Sequence, residues 1–210
     1  MENLFEKYAE ILTTKEDEIL YQLRRETNQK VLFARMLSGP VQGKLLEMIS
    51  KIYAPDKILE IGTYTGYSSI CLARGLKKEG KLTTIEINDE LEPIITKYFT
   101  KAGLQDKIQL IFGDAKKIIP TLGNDFDIVF IDAEKKSYLT YYNMVFDKVK
   151  KGGLILVDNI FWNGKIFENV ANTDTYTKGI LEFNEFIKND NRVERLTLPL
   201  RDGFMIIRKK

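Results

Sequence analysis

Residues 57–68, KILEIGTYTGYS, join a short apolar run to two glycines four residues apart and then to an amphipathic stretch. Such a run, ending in glycine and continuing with helical periodicity, is typical of the first strand, turn and helix of a parallel α/β sheet. Ligands of open α/β sheets bind at the carboxyl ends of the strands. The stretch therefore predicts the fold class and also where a ligand should lie.

The same alternation of short apolar runs and amphipathic stretches continues to the end of the chain. Candidate strands lie at 58–61, 82–87, 108–112, 128–132 and 154–157, and candidate helices at about 66–77, 89–102, 115–120, 137–149 and 176–189. Two further β-like runs, 193–198 and 203–208, flank a turn and are predicted to form an antiparallel hairpin. We predict a Rossmann-like α/β fold: a seven-stranded, mostly parallel sheet with an antiparallel edge hairpin and helices on both faces.

The residues before this alternation have helical periodicity throughout. Thr14 and Asp17 resemble a capping box at the start of a second helix. We predict a single domain over residues 1–210, with a helical cap and ligand lid at 1–54 and a Rossmann-like core at 55–210.

Composition excludes several classes of protein. The chain has 210 residues, of which 44% are hydrophobic and 30% charged, so it is an ordinary globular sequence. Its net charge of +2 gives no indication of nucleic-acid or membrane binding. No signal peptide and no apolar stretch of about 18 residues is found, and the only cysteine, Cys71, cannot form an internal disulfide. We expect a soluble, cytoplasmic protein.

The sequence contains no histidine. This excludes Ser-His-Asp and Cys-His catalysis and the commonest zinc sites, because each of them requires an imidazole. Oxygen ligands must therefore hold any metal, and a general base must be a carboxylate, a lysine, a tyrosine or a metal-bound hydroxide.

Acidic residues lie at the ends of the first three predicted strands. Glu60 could receive a ligand ammonium group, Glu86 could accept both hydroxyls of a ribose, and Asp114 could accept an adenine amine. Together they indicate an adenosine-type ligand that carries an ammonium group. Helix N-capping is the alternative for Glu86 and Asp114.

A second polar group follows the fourth and fifth strands. Asp132, Asp158 and Asn159 supply hard oxygen ligands suited to Mg²⁺ or Ca²⁺. The alternatives are an N-cap at Asp132 and an Asx-turn at Asn159. A nearby cation and a partly dry cleft favour a neutral amine, so Lys135 is a candidate general base, whereas Lys136 is interpreted as a solvated charge.

These motifs, in this order, resemble the cation-dependent O-methyltransferases that use S-adenosylmethionine, the group that contains catechol and caffeoyl-CoA O-methyltransferases. Residues 60–68, EIGTYTGYS, are similar to the cofactor motif of the family. Residues 130–135, FIDAEK, resemble its first metal motif, and 158–164, DNIFWNG, its second. The tail 198–203, LPLRDG, is similar to the caffeoyl-CoA branch. The similarity extends from about Met36 to the C-terminus.

The resemblance implies a role for each matching residue. Lys135 would accept the proton, and Trp162 would lie over the acceptor ring. The metal, Mg²⁺ or alternatively Ca²⁺ or Mn²⁺, would be bound by Asp132, Asp158 and Asn159. Members are commonly homodimers that methylate small phenolic or catechol acceptors. The implied contacts to S-adenosylmethionine are Met36, Ser38, Glu60, Gly62, Ser68, Glu86, Asp114, Ala115 and Asp132.

The acceptor stays open at this stage. The glutamate that helps to hold the second acceptor oxygen in the animal catechol enzyme has no match here, and the segment between Gly164 and Tyr176 diverges from the plant branch. Methylation of a hydroxylated uridine in tRNA is the alternative within the same group, and Arg24, Arg25, Lys30 and Arg35 could form its basic patch. A nicotinamide oxidoreductase is disfavoured because the third glycine of its motif is missing.

Overall fold

The computed structural model describes residues 4–210, and the chain divides into two compact units. The first unit contains the residues up to Ile58 together with 63–113, and the second contains 59–62 together with 114–210. The first three residues of the predicted cap lie outside the described residues.

The strands form one seven-stranded sheet in the order β3-β2-β1-β4-β5-β7-β6. The β2–β3 and β4–β5 pairs are parallel, whereas β7 pairs antiparallel with both β5 and β6. The predicted sheet and its antiparallel edge hairpin are therefore confirmed. The strand bounds are β1 Lys57–Ile61, β2 Lys81–Glu86, β3 Ile108–Phe112, β4 Phe126–Ile131, β5 Val149–Asp158, β6 Val193–Leu198 and β7 Phe204–Lys209.

Eight α-helices accompany the strands within the described residues. The strand order runs outward from β1 in both directions, and right-handed crossovers then place helices on both faces of the sheet. No helix within residues 4–210 is long and apolar enough to span a membrane. The helices are α1 Leu4–Leu12, α2 Glu18–Lys30, α3 Gly39–Tyr53, α4 Tyr67–Ala73, α5 Glu92–Lys101, α6 Ala115–Ile118, α7 Tyr138–Phe146 and α8 Thr175–Asn189.

The predicted capping box at the start of the second helix is wrong. Asp17 is itself the N-cap of α2, because its backbone is extended and its side chain accepts the N–H of Leu20 at 3.0 Å. A carboxylate at this position satisfies a free N–H and also interacts favourably with the helix dipole.

The β4–β5 pair positions the polar residues that follow it. Residues 128–131 of β4 are fully buried, as expected for a central parallel strand. Ile131 is in register with Val157, so the two strands end side by side. Asp132 directly follows β4 rather than ending it, and Asp158 is the last residue of β5.

Candidate active site

In the first unit, Glu86 at the end of β2 organises a turn. Its Oε1 accepts the backbone N–H groups of Ile87 and Asn88 at 3.0 and 2.9 Å, and its Oε2 accepts that of Tyr64 at 2.7 Å. Glu86 is not an N-cap, since Asn88 caps the following short helix. A carboxylate has about four acceptor positions, so these three bonds leave capacity for a ligand hydroxyl.

A cavity of about 760 Å³ opens beside this carboxylate. The Tyr64 hydroxyl donates to the carbonyl of Leu32 at 3.0 Å and joins the turn to the segment after α2. Met36 and Glu86, two of the predicted cofactor residues, thus line one cavity in the first unit. Ser38 and Ser68 are buried in the same unit but do not line this cavity. Lining residues near the turn are Leu32, Phe33, Met36, Tyr64, Glu86 and Ile87.

In the second unit, Gly62 lies against the backbone after β4. Asp132 donates its N–H to the carbonyl of Ile61 at 3.0 Å. A Cβ atom on Gly62 would lie 2.0 Å from the Asp132 carbonyl oxygen, and Gly62 has φ +100°. Glycine is therefore required here both by space and by backbone conformation.

We expect Gly62→Ala to lower the free energy of unfolding by about 3 kcal/mol, because it adds both strain and a clash with backbone. Gly103→Ala is the matched control, since Gly103 also has a positive φ (+65°) but no neighbour within 4 Å of its added Cβ. Denaturant unfolding of both variants separates the cost of backbone strain, which both share, from the cost of the clash, which only Gly62→Ala has. Equal destabilisation would show that the contact with Asp132 contributes nothing.

The remaining predicted cofactor residues of the second unit are buried or engaged locally. Glu60 is fully buried within β1, and Ala115 is buried at the start of α6. Asp114 is the N-cap of α6, because its Oδ1 accepts the N–H of Lys116 at 2.9 Å. The alternative reading of Asp114 as a helix cap is therefore confirmed, and its contact with a cofactor stays a prediction.

The main polar cluster of the second unit centres on Lys135, which is only 8% exposed. Its Nζ donates to Oδ1 of Asp132 and to Oδ1 of Asn159, both at 2.7 Å, and to the Tyr138 hydroxyl at 2.6 Å. The structure thus gathers two of the three predicted metal ligands around the predicted base. Lys136 is exposed and pairs with Glu134 at 2.7 Å, consistent with a surface charge.

Asp158 and Asn159 form the corner after β5. Asp158 is 2% exposed, and its Oδ1 accepts the N–H of Asn159 at 2.8 Å. Asn159 has φ 58°, a conformation uncommon for a residue with a side chain and frequent at functional sites. Asp132 is not a helix cap, since Glu134 precedes the short helix at 135–137. Within residues 4–210 no three His, Cys, Asp or Glu side chains form a group that could hold a metal ion.

Two residues of this cluster were missed by the sequence analysis. Burial, and then the charges of Asp132, Asp158 and Asp202, hold the pKa of the Tyr138 hydroxyl well above its ordinary value. Burial also raises the pKa of the Asp202 carboxyl. The hydrogen bond from the N–H of Asn163, and then the Lys135 charge, act in the opposite direction and lower this pKa. A tyrosine three residues after Lys135, one helical turn away, was the available signal for Tyr138.

Trp162 begins the short 3-10 segment Trp162–Phe167, whose backbone is kinked. Trp162 and Asn163 have φ of 49° and 52°, and Asp202 in the β6–β7 turn accepts the N–H of Asn163. The indole stacks on Tyr176, with ring centroids 6.2 Å apart and an interplanar angle of 13°. Its Nε1 is buried and has no hydrogen-bond partner among the described residues. Its predicted place over an acceptor ring stays a prediction.

The sequence model of the O-methyltransferase family matches residues 10–210. Caffeoyl-CoA O-methyltransferase 2 of Petunia hybrida is 34% identical over 220 residues, which cover 96% of this chain and 89% of the relative. Among solved structures, the O-methyltransferase of Bacillus cereus in complex with SAH is 29% identical, with a TM-score of 0.89 and coverage of 98% and 97%. TomG of Streptomyces achromogenes, involved in tomaymycin synthesis and solved with SAM, is also 29% identical, with a TM-score of 0.90 and coverage of 100% and 99%.

The strand order and the polar residues at the strand ends define a Rossmann-like enzyme fold of the methyltransferase class. The chain belongs to the O-methyltransferase family, the S-adenosylmethionine-dependent family that includes the caffeoyl-CoA O-methyltransferases. The match begins at residue 10, so the similarity is longer than the sequence motifs from about Met36 indicated.

Proposed function

We propose that this enzyme transfers the methyl group of S-adenosylmethionine to a hydroxyl of a catechol-like or caffeoyl-type acceptor that is chelated to a divalent cation, with Lys135 as general base. The observation that carries the proposal is that two of the predicted metal ligands already bind a positive charge, the ammonium of Lys135. Oδ1 of Asp132 and Oδ1 of Asn159 both accept from the Lys135 ammonium at 2.7 Å. These oxygens are therefore arranged around a positively charged group.

The donor set fits Mg²⁺, with Ca²⁺ or Mn²⁺ as alternatives. Two carboxylates and one amide are hard oxygen ligands and leave positions for water and for two acceptor oxygens. We assign Asp132, Asp158 and Asn159 to this role. A bound divalent cation would make the acceptor hydroxyl more acidic and fix its position.

The protein contributes positioning and proton transfer. Nζ of Lys135 would first release one ammonium proton to solvent and would then take the proton of the acceptor hydroxyl. The acceptor oxygen then attacks the methyl carbon in line with the departing sulfur. This attack neutralises charge, so holding the two reactants in contact should supply much of the acceleration. Trp162 would pack against the acceptor ring.

The cofactor contacts are proposed separately for each unit. In the first, Glu86 would accept ribose hydroxyls, and the cavity beside it has the size of a ligand pocket. In the second, the absence of a side chain at Gly62 permits a close approach of the ligand to the backbone. The proposed contacts are Met36, Ser38, Ser68 and Glu86 in the first unit, and Glu60, Gly62, Asp114, Ala115 and Asp132 in the second.

We expect Glu86→Gln to weaken S-adenosylmethionine binding roughly tenfold to a hundredfold, because hydrogen bonds to a charged acceptor are lost. Glu90 lines the same cavity and is exposed, so Glu90→Gln is the matched control and should bind normally. Calorimetric titration with S-adenosylmethionine measures both. Equal weakening in the two variants would argue against a specific role of Glu86.

The test of the acceptor class compares two adjacent hydroxyls with one. Caffeic acid, caffeoyl-CoA and catechol should be methylated from S-adenosylmethionine with Mg²⁺ present, whereas p-coumaric acid, which has a single ring hydroxyl, should not. Equal rates on p-coumaric acid would contradict chelation. No turnover on any of these acceptors, with cofactor binding intact, would direct the search to undermethylated tRNA.

The tRNA alternative depends on a basic patch near α2. Arg24 pairs there with Glu16, and Lys30 pairs with Glu26 at 2.9 Å. These ion pairs reduce the charge available to phosphate. A small phenolic acceptor is therefore favoured, and salt-dependent binding of tRNA would reverse this choice.

We propose a cytoplasmic homodimer with residues 1–210 as one domain, in which 1–54 form the cap and lid and 55–210 the core. The apolar side of α1 supports association, since no residue of α1 is buried and Phe5 is 86% exposed. Light scattering of the protein and of Phe5→Ser tests this assembly: dimers of the unchanged chain and monomers of the variant are expected.

A further inference from the structure

The ammonium of Lys135 has a complete set of hydrogen-bond acceptors. An ammonium group carries three donors, and all three are used here, on Asp132, Asn159 and Tyr138. Two of the three acceptors are oxygens that the proposed function assigns to the divalent cation. A divalent cation held by the same oxygens would lie within a few ångströms of the ammonium, and two positive charges that close repel each other strongly in a buried site.

We propose, on the basis of the proposed function, that Lys135 occupies the position of the divalent cation in the cation-free protein and is displaced when the cation binds. Displacement removes Asp132 and Asn159 as partners of Lys135 and leaves the hydroxyl of Tyr138. Lys135 is then a built-in competitor for the cation site, and Tyr138 is the positioning residue that retains the amine near it.

Tyr138 is held firmly enough for this role. It is fully buried, its hydroxyl donates to the backbone carbonyl of Asp158 at 3.0 Å, and its ring meets that of Phe183 edge to face at a centroid distance of 5.8 Å. With its proton committed to Asp158, the hydroxyl oxygen presents its lone pairs to Lys135. The direction of that acceptor is thus fixed before the lysine moves.

The backbone that carries Lys135 cannot easily follow its side chain. Gly179 of α8 packs on the short helix at 135–137, and a Cβ on Gly179 would lie 2.5 Å from Cα of Lys136 and 3.0 Å from the carbonyl oxygen of Lys135. Displacement is therefore a rotation of the Lys135 side chain about a fixed turn.

Binding of Mn²⁺ to the full chain without acceptor, followed by electron paramagnetic resonance, tests the proposal without relying on activity. Lys135→Met should bind Mn²⁺ at least about tenfold more tightly than the unchanged protein, because a competing positive charge is removed. Lys136→Met is the matched control and should stay within about twofold, since Lys136 is exposed. Tyr138→Phe should also stay within about twofold, because its hydroxyl contacts the amine before and after displacement, but kcat at saturating Mg²⁺ should fall while the acceptor KM changes little.

Unchanged or weaker Mn²⁺ binding by Lys135→Met, with an unfolding midpoint near that of the unchanged protein, overturns the proposal and leaves the proposed function intact. Lys135→Gln provides the same comparison if Lys135→Met does not fold. Absence of Mn²⁺ binding in every protein, together with turnover that EDTA does not affect, would instead contradict the proposed function, and the proposal with it. Detectable binding only in Lys135→Met would support competition.

Discussion

Asp158→Asn is expected to lower kcat by about 100-fold or more while S-adenosylmethionine binds with unchanged affinity. The charge of a proposed cation ligand is lost, and a bound metal ion contributes several kcal/mol to stabilisation of the transition state. The Asp158 side chain is 2% exposed and has no proposed contact with the cofactor. The loss should therefore fall on turnover and on cation affinity.

This substitution is chosen because it keeps the local structure. An asparagine side chain retains an oxygen that can accept the N–H of Asn159, the bond that Oδ1 of Asp158 now makes at 2.8 Å. Asp147→Asn is the control, because Asp147 is an exposed aspartate of the same unit. Steady-state kinetics over a range of Mg²⁺ concentrations and calorimetric titration with S-adenosylmethionine measure both effects. Parallel loss of cofactor affinity would mean that the site is assigned wrongly.

Lys135→Met should lower kcat by about 10²- to 10⁴-fold, the usual contribution of a positioned general base. The methionine keeps the length and apolar character of the lysine stem but has no amine. The Asp132, Asn159 and Tyr138 oxygens then lose a donor, and the proposed cation would take its place at the first two.

Lys136→Met again provides the control, since Lys136 is adjacent in sequence, exposed, and paired with Glu134. The measurement is single-turnover methyl transfer at saturating Mg²⁺ and cofactor, so that cation affinity does not enter the rate. A Lys135→Met rate within about tenfold of the unchanged enzyme would exclude Lys135 as the proton acceptor.

The order of elements could be predicted from apolar periodicity, but several bounds depended on tertiary contacts. The β3 and β6 strands end where the sequence predicted, whereas β5 begins at Val149 instead of residue 154. Residues 150–153, KKGG, lie between Val149 and Leu154 and give no apolar signal. Val149 nevertheless pairs with Phe126, across a register shift in the β4–β5 ladder. Backbone pairing across a bulge leaves no mark in hydrophobic periodicity.

Helix α4 ends at Ala73, before the predicted end at 77, for a related reason. Gly75 lies so close to α3 that a Cβ on it would be 2.3 Å from the backbone of Ser50. The chain must leave the helix to make this approach. A helix end set by a neighbouring helix is not encoded in the local sequence.

The candidate site could be predicted where its residues lie at strand ends. Parallel strands bring their carboxyl ends to one edge, so Asp132 and Asn159 were expected together, and Lys135 now joins them through its ammonium. Tyr138 and Asp202 were missed because each has an ordinary local explanation, a helical aromatic and a turn aspartate. Only the tertiary structure shows that the Tyr138 hydroxyl accepts from Lys135 and that the Lys135 charge acts on the Asp202 carboxyl.

Methyl transfer to caffeic acid before and after EDTA tests cation dependence most directly. Turnover should disappear with excess EDTA and return on addition of Mg²⁺, while binding of S-adenosylmethionine stays unchanged throughout. Undiminished turnover in EDTA would contradict the assignment of Asp132, Asp158 and Asn159 as cation ligands.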